Sequence, residues 1–283
     1  MILWAIRAVY FATALQLFGL LNFRLFFPLV LSRRLVLALV AAALVALMAW
    51  LAFEAGAMGG EGIAAAIRDG TLGTVLTQTR FGDITLARAA LLVGVGAALA
   101  WRGRVASVCA AAAAGAALAL TAATGHAGAE TGPGGQIHLA ADMLHLLAAG
   151  AWLGGLLPFV WAMTRKPALA HADSLRFSLL GTICVGILLA TGSINSWFLV
   201  GNVPALIGNG YGRLLLVKIA LFAAMVVVAA INRWRLTPLI RTDAAAALPA
   251  LRRNALAETA LGLGIVMIVS VLGTLPPAYY GAE

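Results

Sequence analysis

Eight stretches of this chain each come close to the 20 or so mostly apolar residues that one helix needs to cross a bilayer. Nothing else in the sequence limits its fold so tightly. The stretches lie near 2–23, 34–53, 83–101, 104–123, 138–163, 174–192, 213–232 and 254–274. Only 10% of the 283 residues are charged and 63% are hydrophobic. A soluble domain carries about 25% charged residues, so this composition cannot supply a water-facing surface. The expected fold is all-α: a polytopic membrane helix bundle of eight spans, one integral membrane domain over 1–283 with no soluble domain. The first stretch is long, contains Arg7 and is followed by further spans, so it reads as a retained helix and not as a cleaved signal peptide. Gly and Ala recur throughout, which suits close helix approach in lipid.

The net charge of +9 does not point to nucleic acid, because the basic residues sit in short loops between apolar runs. Arg24, Arg33 and Arg34 follow the first run, Arg102 and Arg104 the third, Arg165 and Lys166 the fifth. Arg233, Arg235, Arg241, Arg252 and Arg253 follow the seventh. The opposite loops carry little beyond Arg68 and Arg80, with Arg213 at a span edge. Positive loops mark the cytoplasmic side, so both termini are expected on the far side, the periplasm of a bacterial inner membrane. That side then receives the loops 54–82, 124–137 and 193–212 and the tail PPAYYGAE.

Against this background, His126 to Pro158 stands out, because it holds three of the four histidines. His138, Asp142 and His145 fall at i, i+4 and i+7 and face one way on a helix, with Trp152 a heptad further on. Polar groups inside a span are costly and usually functional. His126 and His138 are expected at the outer face, and His145 roughly 10 Å below His138. His171 reads as a solvated loop histidine on the inner side. Clustered imidazoles suggest a metal site, and imidazole suits copper, zinc, iron and nickel alike. Glu54 and Met58, at i and i+4 where the second span ends, add a carboxylate and a thioether at the same face. A thioether beside imidazoles favours copper, Cu(I) in particular. Asp142 reads either as a ligand or as an acceptor that fixes an imidazole tautomer.

Other polar positions have plainer readings. Arg7 is expected to snorkel to the outer surface, and Glu258 to pair with Arg252 or Arg253 at the inner interface. Thr191, Gly192 and Asn195 either line the outer cavity or end the sixth span. Cys109 and Cys184, with no CxxC spacing, read as packing residues. The inner half offers little besides them, so no ladder of ligands through the membrane is legible. Haem is a competitor for the histidines, although no CxxCH is present for covalent attachment.

The segment HLAADMLHLLAAGAWLGGLLP (138–158) resembles the characteristic helix of the CopD/PcoD family of bacterial copper-homeostasis membrane proteins. TGHAG at 124–128, NSWFLVGNVPALIGNGYGRLLLVK at 195–218, NRWRLTP at 232–238 and GTLPPA at 273–278 resemble it in the same order. EAGAMGG at 54–60 is similar to a further family segment. The resemblance implies an eight-span inner-membrane protein that binds copper, as Cu(I) or Cu(II), at its periplasmic face. Site residues implied by position are His126, His138, His145, Glu54 and Met58. A periplasmic copper-binding protein of the CopC kind is the implied partner, a separate protein since no such domain is fused here.

Two function classes follow. One is a copper-binding protein that imports copper or handles it at the outer face. The other is a membrane copper or haem oxidoreductase, linked to quinone, with an outward metal site and no ion translocation. A structural or assembly role with packed, satisfied histidines is the third and plainest reading.

Overall fold

The computed structural model describes residues 2–27, 32–60, 62–101 and 103–278. Arg102, one of the orienting charges, and 279–283, the end of the tail, lie outside the described residues. Among the described residues there is no strand, and eight helices are long and apolar enough to cross a membrane. These are α1 (Ile2–Phe26), α2 (Arg33–Gly59), α3 (Arg80–Ala98), α4 (Arg104–Ala119), α5 (Gly132–Arg165), α6 (Ala170–Val200), α7 (Gly210–Ile231) and α8 (Ala244–Leu272). Helices are the expected solution, since lipid offers no partner for a free backbone amide or carbonyl.

Helix α5 is the axis of the bundle. It is 61% buried over its apolar window, against 11% for α7 at the periphery. It packs on α1, α4, α6 and α8. Its crossing with α1 brings backbone onto backbone: a Cβ at Gly19 would overlap Gly154, and one at Gly154 would overlap the Leu15 carbonyl. Pro158 explains a second feature of this crossing. Lacking an N–H, proline frees the carbonyl four residues earlier, which is that of Gly154. Gln16 of α1 fills the vacancy, its Nε2 donating to Gly154 O at 3.0 Å.

Several elements run further than hydropathy alone implies. The outer loops are themselves helical, with short helices at Ile63–Arg68, Thr71–Gln78, His126–Ala129 and Val203–Gly208. The first two bury Ala66 and Val75 against Leu51 and Ala55 of α2. Helix α6 continues to Val200, so TGSIN does not end a span. Thr191 and Asn195 lie within the helix, both buried.

Two expectations about charged residues are corrected. Arg7 does not snorkel: it is 6% exposed, with its guanidinium 4.5 Å from the centre of the Trp50 ring. Glu258 does not pair at the interface. Helix α8 starts at Ala244, which places Glu258 well inside it and 2% exposed. Its Oε1 accepts from Asn232 Nδ2 at 2.7 Å. Asn232 opens a π-helical turn, Asn232–Leu236, at the end of α7. Pro238 lies just beyond, and the Thr237 hydroxyl donates to the Asn232 carbonyl at 2.8 Å.

Candidate functional site

His138, Asp142 and His145 of α5 line two adjoining cavities toward the outer end of the bundle. One, of about 120 Å³, is lined by His126, His138, Asp142, Arg7, Asn195 and Lys218, among others. The other, of about 370 Å³, lies deeper, and Asp142, His145, Lys218, Met225 and Trp152 are among its lining residues. Asp142 and Lys218 line both and so stand where the two meet.

His138 is 1% exposed and stacks on Phe198, with ring centres 4.8 Å apart and planes 10° from parallel. Its Nδ1 lies 3.0 Å from Glu130 Oε1 but off the hydrogen-bonding direction, so this buried nitrogen has no hydrogen-bond partner. His126 sits on the short outer helix, its Nε2 3.4 Å from the Leu272 carbonyl. Burial pushes the His126 pKa below its ordinary value of 6.5; Arg7 and His138 push the same way, against the Leu272 carbonyl. A neutral imidazole is the form that binds metal.

At His145 the hydrogen bonds fix the tautomer. Its Nδ1 is 2.9 Å from Thr191 Oγ1, and that hydroxyl donates to the Ile187 carbonyl at 2.7 Å. With its proton committed, Thr191 can only accept. His145 therefore carries its proton on Nδ1 and leaves the Nε2 lone pair for a ligand. Gly192 flanks the ring, since a Cβ there would sit 3.6 Å from His145 Cε1.

Asp142 hydrogen-bonds to neither imidazole; its Oδ1 accepts from Asn195 Nδ2 at 3.0 Å. The α2 pair is held apart from the histidines. Glu54 accepts from Trp50 Nε1 at 2.9 Å, and Met58 is 58% exposed; neither lines the two cavities. The thioether that does share a cavity with an imidazole is Met225 of α7. As they stand, no three His, Cys, Asp or Glu side chains among the described residues converge closely enough to hold a metal ion. The geometry offers nitrogen donors cavity by cavity.

Sequence patterns did not single out Lys218, Glu130, Met225 or Arg88. Arg88 is fully buried, donates from Nε to Tyr10 Oη at 3.1 Å and lies 4.2 Å from the Tyr10 ring centre. A lone cation inside a run such as ITLARAALL was the available signal.

Known proteins place this chain. The family described as Copper resistance protein D matches residues 171–272, and that described as Copper resistance protein D-like, N-terminal domain, matches 1–136. The chain is 32% identical over 220 residues to "Copper resistance protein D" of Pseudomonas syringae pv. tomato, covering 72% of this chain and 71% of that one. It is 38% identical over 162 residues to "Inner membrane protein YebZ" of Escherichia coli (strain K12), 56% of each chain. Identity to "Copper transport protein CutJ" of Bacillus subtilis (strain 168) is 32% over 140 residues, 48% of this chain and 25% of the relative. The match thus spans only about half of YebZ and a quarter of CutJ. No solved structure matches. With its eight apolar helices, the chain is a multi-pass inner-membrane protein, and it belongs to the copper resistance protein D family.

Proposed function

We propose that this protein receives copper at the periplasmic face of the inner membrane and imports it, with His126, His138 and His145 as the receiving ligands. The observation that carries this reading is the tautomer of His145. Its Nε2 lone pair is left unengaged by the Thr191 hydrogen bond, on a ring that lines the deeper cavity with Met225. A neutral imidazole and a thioether lining one cavity are donor types suited to Cu(I). In this reading His126 and His138 accept the ion in the shallower cavity, Asp142 supplies negative charge between the two, and Glu54 and Met58 act at the entrance. Both termini face the periplasm, and the whole chain acts as one membrane domain. A separate soluble protein of the CopC kind delivers the ion to the outer helices. The relatives' names speak for copper resistance and copper transport.

The test is elemental analysis of detergent-purified protein, wild type beside a His138→Ala, His145→Ala double variant, followed by copper uptake into proteoliposomes. Stoichiometric copper in the wild type, lost in the variant, is the expected result. Equal copper in both would remove the proposed ligands, and a Soret band with no copper would turn the site over to haem.

A further inference from the structure

Helices α5 to α8 form a ring that does not close. Helix α5 packs on α6 and α8, and α7 packs on α8, but α6 and α7 hardly meet. The gap between them gives onto a third cavity, of about 340 Å³, at the basic-loop end of the bundle. Trp152, Leu156 and Phe159 of α5, with Leu251 and Ala255 of α8, make its back wall. Leu179 and Ile183 of α6 and Val227 of α7, close to the gap, are exposed apolar side chains. In a membrane-spanning bundle such flanks face hydrocarbon, so the cleft opens sideways into lipid. Its lining is graded in polarity. Along α6 it passes from Val185 to Thr182, Ser178 and Ser174, and along α7 from Val226 and Ala230 to Arg233. From Val185 to Ser174 is about 16 Å of helix, close to half of the roughly 30 Å of hydrocarbon. A cavity that is apolar toward the bilayer centre and polar toward its surface has the polarity of one leaflet.

Arg233 gives the polar end its chemistry. Its Nη1 donates to Ser178 Oγ at 2.9 Å and to Thr182 Oγ1 at 3.1 Å, both neutral hydroxyls. Thr182 is itself fixed, donating to the Ser178 carbonyl at 2.9 Å. The guanidinium is thus held across the gap by one nitrogen, and its Nε and Nη2 edge is left without a partner. That edge is the one that takes a phosphate through two parallel hydrogen bonds. Among the described residues no carboxylate pairs with Arg233; Glu258, on the back-wall helix, accepts from Asn232 instead. One turn from Ser178 on α6, the Ser174 hydroxyl is 2% exposed, lines the same cavity and has no hydrogen-bond partner. A buried hydroxyl left unpaired costs free energy, and an oxygen-rich headgroup offers it an acceptor. Trp234, also a lining residue, is 72% exposed, as suits an indole at the headgroup level. Arg235, Arg241, Arg252 and Arg253 are exposed at the same end and favour a net negative headgroup. We propose that this cleft binds an anionic phospholipid of the adjoining leaflet, with one acyl chain between α6 and α7 and the phosphate on the free edge of Arg233. The site is separate from the histidine cavities and does not depend on the copper reading.

The test is native mass spectrometry of the detergent-purified full chain, titrated with phosphatidylglycerol or phosphatidylcholine of the same acyl length. Wild type is expected to hold one phosphatidylglycerol about tenfold more tightly than phosphatidylcholine, the scale of a charge-assisted contact. Arg233→Gln is expected to bring the two lipids level. Gly181→Leu is expected to lose both adducts. A Cβ at Gly181 would lie 3.5 Å from Trp152 Nε1, an ordinary contact, so the longer side chain fills the cavity without touching backbone. Thermal unfolding checks that each variant is folded, and Ala229→Leu, on the α7 side of the cavity, replaces Gly181→Leu if that one is not. Equal binding of the two lipids by wild type, or undiminished preference in Arg233→Gln, overturns the headgroup site. Wild-type binding in the filled variant overturns the acyl-chain site. Displacement of phosphatidylglycerol by inorganic phosphate alone would make this a free-anion site and overturn the lipid assignment.

Discussion

The Thr191 hydroxyl decides which nitrogen of His145 is left with a free lone pair, and so which one would meet a metal in the proposed site. Thr191→Val keeps shape and burial but removes the acceptor for Nδ1–H. Losing a partner that orients a ligand typically costs about 10–100-fold in metal affinity, and that loss is expected in a copper titration with little change in thermal stability. His126 gives a pH dependence. Its pKa is lowered in the fold, so the unfolded chain binds more protons there and stability rises with pH. This contribution is complete above the ordinary value of 6.5 and is lost as the pH falls through the lowered one. The melting temperature of wild type is therefore expected to drop more between pH 7 and pH 5 than that of His126→Ala, measured without copper. The i, i+4, i+7 spacing made the α5 polar face readable in sequence. Thr191 and Asn195 were legible as candidate lining of the outer cavity, but their pairing with His145 and Asp142 was not, because they lie 46 and 53 residues away and meet α5 only through helix packing.

On the scale of elements, the α1–α5 crossing ties a proline on one helix to an amide on the other. Gln16→Leu leaves the Gly154 carbonyl buried without a donor, at a cost of about 1–3 kcal/mol. Pro158→Ala restores an N–H to the helix, so the two changes together are expected to destabilise less than their sum in a double-mutant cycle of thermal unfolding. Additivity would mean that Gln16 does not serve this carbonyl. The apolar runs made all eight spans legible. Their outer extensions were not, since helices such as Ile63–Arg68 and Val203–Gly208 are too short to show a period and owe their form to packing on the bundle. Glu258 was misread for a related reason: α8 begins ten residues before the apolar run, stretching through Pro249 and two arginines.

For the molecule as a whole, loop charge sets the expected orientation. Alkaline phosphatase fused after Gly201 is expected to be active, and fused after Lys166 inactive; the reverse pattern would invert the bundle and put the histidines inside. The length of α5 has its own consequence. At 34 residues it is about 50 Å long, well beyond the roughly 30 Å of a bilayer's hydrocarbon. A helix this long must lean or push its ends into the headgroups, and α5 is pinned by neighbours on several sides. Short-chain lipids therefore force the mismatch onto the membrane rather than onto the protein. Reconstituted in a series of phosphatidylcholines of increasing acyl length, the protein is expected to melt highest in the thicker bilayers. The lipid then acts as a ruler that matches the protein to the membrane it occupies.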